Sequence, residues 1–340
     1  MKLRSIDNVD VKNKRVVVRV DWNVTLGKAL QLVDDTRIVR TLPTIKLLIK
    51  NGARQVVILS HLGKAEEKKS IEPVSKYASQ LLDEEIRVYK SVSDCKSDIE
   101  SRVLMLENVR LWEGEDSNDP EFGGQLASLG EIYVNEAFGE CHRASASIVG
   151  ITAHIPSCAG IWLIEEVESV LKVRENPEHP FVVVMGGSKV EDKLPLLKLL
   201  AERADTILVG GKLANELQAE DIKLKGKARI ILPVEGSDIL DIGEETRKIF
   251  AGEIKKAKTV VWNGPMGKVE DARYRAGTEA VFEAIVGNKG AYNLVGGGDT
   301  LAALGNEEQI SEIDHVSTGG GAMLALLEKG VLPGLRVLES

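Results

Sequence analysis

The sequence predicts an α/β protein made of two doubly wound, parallel-sheet domains joined by a connector helix. Three observations carry that expectation. Short apolar runs alternate with helical patterns from end to end, as parallel strands with crossover helices require. The chain, at 340 residues, is long for one domain of ordinary size. Between its halves, Gly160 to Glu175 reads as one long helix, without glycine or proline inside, that stops at Asn176-Pro177. The alternative reading of that helix is a core element of a single large sheet.

In the first half the expected strands are Arg15–Val20, Gln55–Ser60, Ile86–Tyr89, Val103–Leu106 and Glu131–Asn135. A helix starting near Asp34 or Asp35 carries Ile38, Leu42, Ile45 and Leu48 or Ile49 on one stripe. It ends at Asn51-Gly52, although Pro43 inside it opposes an unbroken ladder. In the second half every expected strand leads into glycine. Phe181–Met185 runs into Gly186-Gly187-Ser188-Lys189, Ile207–Val209 into Gly210-Gly211-Lys212, and Val260–Trp262 into Asn263-Gly264-Pro265-Met266-Gly267. Tyr292–Val295 runs into Gly296-Gly297-Gly298-Asp299-Thr300, and His315–Ser317 into Thr318-Gly319-Gly320-Gly321. Ligands bind at this edge of open parallel sheets, and a turn without Cβ atoms lets backbone N–H groups approach a phosphate at a helix start. Any one of these turns could instead be a tight connection with an N-cap.

The first half ends its strands in charge. Arg19, Asp21 and Asn23 follow Val16–Val18 of the first, His61, Leu62, Gly63 and Lys64 the second, Glu107 to Arg110 the fourth, and Asn135 to Gly139 with His142 and Arg143 come after Ile132–Val134 of the fifth. With Arg37 at its helix start, the set Arg37, His61, Lys64, Arg110 and Arg143 suits a small, doubly anionic molecule, because guanidinium forks match phosphate and carboxylate oxygens. Each residue alone reads rather as a solvated surface charge; the set, placed repeatedly just after strands, reads as a site. In the second half Lys189 and Lys193 lie four apart on one helical face and repel unless an anion sits between them. Asp299 offers a hard oxygen for a magnesium ion carried by a nucleotide, and Glu270 an acceptor for a ribose hydroxyl.

Bulk properties narrow the class. Hydrophobic residues at 43% with 28% charged fit a soluble globular protein. The net charge of -8 argues against general nucleic-acid binding but leaves room for a basic cleft. The odd set Cys95, Cys141 and Cys158 lacks CxxC spacing and reads as reduced thiols. No signal-like start or membrane-length apolar run is present, so the expectation is a cytoplasmic protein with neither membrane nor nucleic-acid partners. There is no GxxxxGK[ST] loop, no GxGxxG after the first strand, no HExxH and no GxSxG. Phosphoryl transfer remains, because it needs positioned cations and amides more than a nucleophile.

These motifs resemble phosphoglycerate kinase over nearly the whole chain. The resemblance rests on Val18–Val24, Asp34–Ile38, Ser60–Gly63, Glu107–Arg110, Ala137–Gly139 with His142-Arg143, Gly186–Val190, Trp262–Gly267, Gly296–Thr300 and Ser317–Ala322. It implies two Rossmann-like domains of a hinge-bending kinase: residues 1–160 for phosphoglycerate, with 330–340 returning to them, and residues 161–329 for the nucleotide. Asp21, Asn23, Arg37, His61, Leu62, Gly63, Lys64, Arg110 and Arg143 would hold 3-phosphoglycerate or 1,3-bisphosphoglycerate. Gly187, Lys189, Lys193, Gly211, Asn263, Glu270, Gly297, Gly298, Asp299 and Thr300 would hold ADP or ATP, with Asp299 at Mg2+. Arg37 and Lys189 would act on the phosphoryl group in flight, and closure of the domains would exclude water. The resemblance also implies a monomer or small homo-oligomer. The chain departs from the family at Lys64 (usually arginine), Glu136 (aspartate), Ser145 (histidine), Thr25 (proline) and Lys268 (apolar). It is short after Lys64 and between Leu217 and Ile231.

Overall fold

A computed structural model describes residues 1–187, 190–236, 239–297 and 307–340, without the side chains of 192 and 307. The chain divides into two compact units, Met1–Val167 with Val331–Ser340, and Glu168–Gly330. Each holds one six-stranded sheet in which every strand pair is parallel, so the single-sheet alternative does not apply. The helix between the halves spans Ile161–Glu175, and the division falls within it, after Val167. Among the described residues no helix is long and apolar enough to cross a membrane.

The first sheet comprises β1 (Arg15–Arg19), β2 (Gln55–Leu59), β3 (Ile86–Tyr89), β4 (Val103–Leu106), β5 (Ile132–Asn135) and β6 (Ser157–Ala159). Their order is β3-β4-β2-β1-β5-β6, so the chain reverses its winding between β1 and β5. β1 is buried on both faces, which is why it reads as an unbroken valine run: Val16 and Val18 pack into one cluster and Val17 into another. The Thr36–Lys50 helix passes through Pro43 without interruption. Its cap comes from Asp34, whose Oδ1 accepts Thr36 N–H at 2.8 Å, while Asp35 instead accepts from Tyr77 Oη at 2.5 Å.

The second sheet comprises β7 (Phe181–Met185), β8 (Thr206–Val209), β9 (Arg229–Ile231), β10 (Thr259–Asn263), β11 (Tyr292–Gly296) and β12 (His315–Ser317). Their order is β12-β11-β10-β7-β8-β9, which places the reversal of winding between β7 and β10. A crevice at the carboxyl ends of those two strands is the expected ligand position.

Two features secure the first unit. The chain's ends meet on it: Leu3 bridges Glu339, Arg4 N–H donates to Leu338 O at 3.0 Å, and Gly334 N–H donates to Cys141 O at 3.0 Å. Beyond β5, Glu136 caps the Ile161–Glu175 helix by accepting Trp162 N–H at 3.1 Å and Leu163 N–H at 2.7 Å. Ile161 N–H goes to Thr44 Oγ1 at 3.0 Å, and the Thr44 hydroxyl donates to Glu136. Burial pushes the Glu136 carboxyl up to about 7, against the hydrogen bonds that favour its charged form.

The unfolded chain loses this proton near 4.5, so between 4.5 and about 7 the native state binds more protons than the unfolded one. Stability from this group is therefore complete below the lower value and declines as pH rises through the upper one. In the Glu136→Gln variant the fall of unfolding free energy across this window is expected to flatten, by up to about 1.4 kcal/mol per pH unit. Denaturant titrations across the window check it, and an unchanged slope refutes it.

Candidate active site

The first candidate site lies at the carboxyl ends of β1, β2, β4 and β5. Asp21, two residues past β1, accepts a hydrogen bond from Arg37 Nη1 at 2.9 Å, and the same nitrogen reaches Asn23 O at 3.2 Å. Arg37 occupies the first turn of the Thr36–Lys50 helix, which contains no acidic residue. A cation there opposes the helix dipole, a local cost that points to an anion nearby. Asn23 Oδ1 accepts Gly63 N–H at 2.8 Å, and Arg110 Nη1 donates to Gly63 O at 2.9 Å. Gly63 makes this turn at φ +66.

His61 is fully buried at the centre. Its Nδ1 lies 3.1 Å from Arg19 Nη2, and a guanidinium can only donate. Nδ1 is therefore the acceptor, and the imidazole proton sits on Nε2. Behind it, Arg19 Nε donates to Ser147 Oγ at 2.8 Å, and Ser147 donates to Glu115 at 2.5 Å. Burial first, then the fields of Arg19, Arg110, Arg37 and Arg143, hold the His61 pKa well below its ordinary value. His61 is thus a neutral donor, and its buried Nε2 has no hydrogen-bond partner among the described residues. Asp21 Oδ1 lies 3.8 Å and Glu140 Oε1 3.6 Å from it.

Asp21, His61 and Glu140 bring ligand atoms within 4.8 Å of one another, a spacing that could suit a metal ion. The charges argue otherwise. Arg37 holds Asp21 at 2.9 Å and Arg110 holds Glu140 at 2.7 Å, so a cation would face two guanidinium groups. The site suits an anion.

Of the sequence-predicted residues, Asp21, Asn23, Arg37, Gly63 and Arg110 are joined by hydrogen bonds, with His61 Nε2 3.8 Å from Asp21. Arg143 is exposed and bears on His61 through its field. Lys64 is exposed at the start of the Ala65–Glu67 turn, and the Leu62 side chain belongs to the core. Glu140 and Arg19 were not assigned from sequence. Glu140 stands between Gly139 and His142 in a turn read for its cations alone.

The second candidate site is a cavity of 620 Å³ at the ends of β7, β8 and β10, on the switch point of the second sheet. Of the residues assigned to the nucleotide from sequence, Gly187, Lys193, Gly211, Asn263, Glu270 and Gly297 line it. Ile239, Leu240 and Val269 form an apolar part of the lining, with Lys212, Asn215 and Lys268 beside them; none of these was predicted. Lys189, Gly298, Asp299 and Thr300 lie outside the described residues.

The glycine turns pack on each other. Gly187 N–H donates to Pro265 O at 2.8 Å and Gly211 N–H to Met266 O at 3.0 Å. Gly186 N–H and Gly210 N–H go to Asn263 O and Met185 O, each at 2.9 Å. A Cβ at Gly186 would stand 2.2 Å from Pro265 O, and one at Gly264 2.5 Å from Gly186 O. These four amides are occupied, so their residues offer a ligand close approach rather than donors. Lys193 Nζ donates to Gly186 O at 2.5 Å, which sets a cation at this turn.

The profile of the family described as "Phosphoglycerate kinase" matches residues 6–230 and 218–330. A phosphoglycerate kinase of Chloroflexus aggregans is 36% identical over 398 aligned positions, covering 100% of this chain and 99% of the relative. One of Thermosipho africanus is 40% identical over 393 positions, covering 98% and 97%. Both alignments are longer than the 340-residue chain, so much of its shortness lies in internal gaps. Among solved structures, the phosphoglycerate kinase of Coxiella burnetii is similar with a TM-score of 0.83 at 35% identity, covering 99% of both chains. That of Pyrococcus horikoshii OT3 gives 0.87 at 30% identity, covering 99% and 98%.

Proposed function

The chain belongs to the phosphoglycerate kinase family, and from that premise we propose that its two strand-end sites divide the substrates between them. The activity is reversible phosphoryl transfer between 1,3-bisphosphoglycerate and ADP, giving 3-phosphoglycerate and ATP, a step of glycolysis. The phosphoglycerate is assigned to Asp21, Asn23, Arg37, His61 to Lys64, Arg110 and Arg143, within residues 1–160 and the returning 330–340. The nucleotide is assigned to the cavity of residues 161–329. The observation that carries the first assignment is the buried His61 Nε2–H, unpartnered among the described residues, on an imidazole that lies within the fields of Arg19, Arg110, Arg37 and Arg143.

Each side chain then has a task. His61 donates a hydrogen bond without adding charge. Arg110 and Arg143 hold substrate oxygens, and Asp21 and Asn23 orient Arg37. Arg37 neutralises the phosphoryl oxygens as they move, and Lys189 is assigned the same work from the nucleotide side. Lys193 and Asn263 face the nucleotide phosphates; Ile239, Leu240 and Val269 offer an apolar wall for the base.

Magnesium enters with the nucleotide. Among the described lining residues Glu270 is the one carboxylate, so the ion's protein ligand is proposed to be Asp299. When bound, the ion neutralises phosphate charge. A cytoplasmic monomer or small homo-oligomer completes the proposal.

A coupled assay with 3-phosphoglycerate and MgATP tests the reading, and a folded protein without turnover rejects it. Lys64→Arg is expected to leave turnover intact and to shift phosphoglycerate affinity modestly, because Lys64 is exposed. A collapse of activity in steady-state kinetics would mean that the loop depends on lysine.

A further inference from the structure

The cluster that suits an anion holds a buried carboxylate of its own. Glu140, 9% exposed at the end of the Phe138–Glu140 turn, accepts from Arg110 Nη2 at 2.7 Å, and its other oxygen lies 3.6 Å from His61 Nε2. Arg110 is thereby held on both sides, since Nη1 donates to Gly63 O at 2.9 Å. Holding a guanidinium in place does not require a charge, because an amide oxygen accepts the same hydrogen bond. A buried negative charge beside the nitrogens that would meet a ligand weakens binding of every anion.

The weakening is unequal. An inorganic oxyanion meets an Arg110 that is already neutralised, and it competes through one charged centre. A two-headed anion can place one end against the exposed cations Arg143 and Lys64, so its other end competes for Arg110 at high effective concentration. Asp21 repeats the device on Arg37 at 2.9 Å, leaving His61 Nε2–H between two carboxylates that are too far to bond it.

We infer that Glu140 is a resident counter-ion that sets the anion selectivity of this site, admitting phosphoglycerate while disfavouring inorganic phosphate and sulfate. The inference rests on the assignment of the cluster to phosphoglycerate. It makes Glu140 a specificity-determining residue rather than a catalytic one.

Isothermal titration of the full chain with inorganic phosphate, sulfate and 3-phosphoglycerate tests it. Glu140→Gln keeps an oxygen for Arg110 and removes the charge. It is expected to tighten phosphate and sulfate by about tenfold or more, and 3-phosphoglycerate by less. Glu140→Asp keeps the charge and is expected to retain the wild-type preference, which covers the case in which the glutamine variant does not fold. Unchanged or weaker phosphate binding in folded Glu140→Gln overturns the inference, as does equal tightening of all three anions. Phosphate tightening in Glu140→Asp overturns it too. Arg143→Ala and Arg37→Ala separate the two layers. If both leave 3-phosphoglycerate binding unchanged, the site assignment fails and the selectivity role with it; if they weaken it, the Glu140 result stands on its own.

Discussion

Replacing Arg37 by alanine is expected to lower kcat by about 10²–10³-fold, with a smaller change in KM for phosphoglycerate. Asp21 and Asn23 O fix one nitrogen, Nη1, at 2.9 and 3.2 Å, which leaves the rest of the fork for a ligand. The guanidinium also stands at the amino end of a 15-residue helix, so two positive sources converge on the same place. In phosphoryl transfer, charge spreads over the equatorial oxygens as the group moves, and a fixed cation there stabilises the transition state more than either ground state. The side chain is 34% exposed, so its loss should leave the core and the thermal midpoint little changed. Steady-state kinetics against phosphoglycerate, with calorimetry as the folding control, decide the matter. A rise in KM alone would make Arg37 a ground-state anchor.

Gly264→Ala is the second substitution with a large expected effect, and it acts on the other site. Gly264 has φ +86, and its added Cβ would stand 2.5 Å from Gly186 O, 2.7 Å from Gly186 C and 3.1 Å from Gly187 N. All three are backbone atoms, so neither partner can rotate away. The β7 and β10 turns must separate, and they bound the second cavity on both sides of the switch point. Unfolding free energy is expected to fall by about 1–3 kcal/mol from strain alone. Nucleotide affinity is expected to fall at least about tenfold, since a displaced turn loses both its own contacts and its neighbour's. Gly252→Ala provides the contrast. It lies within the Glu244–Lys256 helix with open space around it, and should stabilise by about 0.5–1 kcal/mol. Wild-type nucleotide titration in Gly264→Ala would exclude this account.

What could be read from sequence followed the strength of local signals. Valine-rich runs such as Val16–Val18 and Val182–Val184 announce strands buried on both faces, and each is found there. The edge strands β6 and β9 have only three residues each and were not anticipated; β12 is as short, and was found by the run of glycines that follows it. The helix expected through Pro43 is found, because a single missing N–H does not halt a helix whose buried stripe continues to Leu48. The cations of the first site were legible because each follows a strand or opens a helix. Asp21, the partner of Arg37, was named with them, but the carboxylate partner of Arg110 was not, since its pairing with Glu140 spans 30 residues and exists only after β4 and β5 are in place.

The glycines were read correctly as places of close approach. At Gly186 and Gly264 the surface approached is another turn of the second sheet. Sequence pattern reports that a side chain is absent; it does not say which surface fills the space.

The meeting of the chain's ends on the first unit has a consequence for synthesis. Residues 331–340 leave the ribosome after the whole of Glu168–Gly330, yet they supply the Leu338 O and Glu339 contacts to Leu3 and Arg4 and the Gly334 bond to Cys141. Cys141 is the neighbour of Glu140, so this late bond secures the Phe138–Glu140 turn. At ordinary elongation rates the delay is on the order of ten seconds or more. Through that interval the nascent first sheet lacks its closing strap, and the buried Leu335 and Leu338 positions remain to be filled. A trigger of misassembly or a hold by a chaperone would act in this window, before the first unit has received its final ten residues.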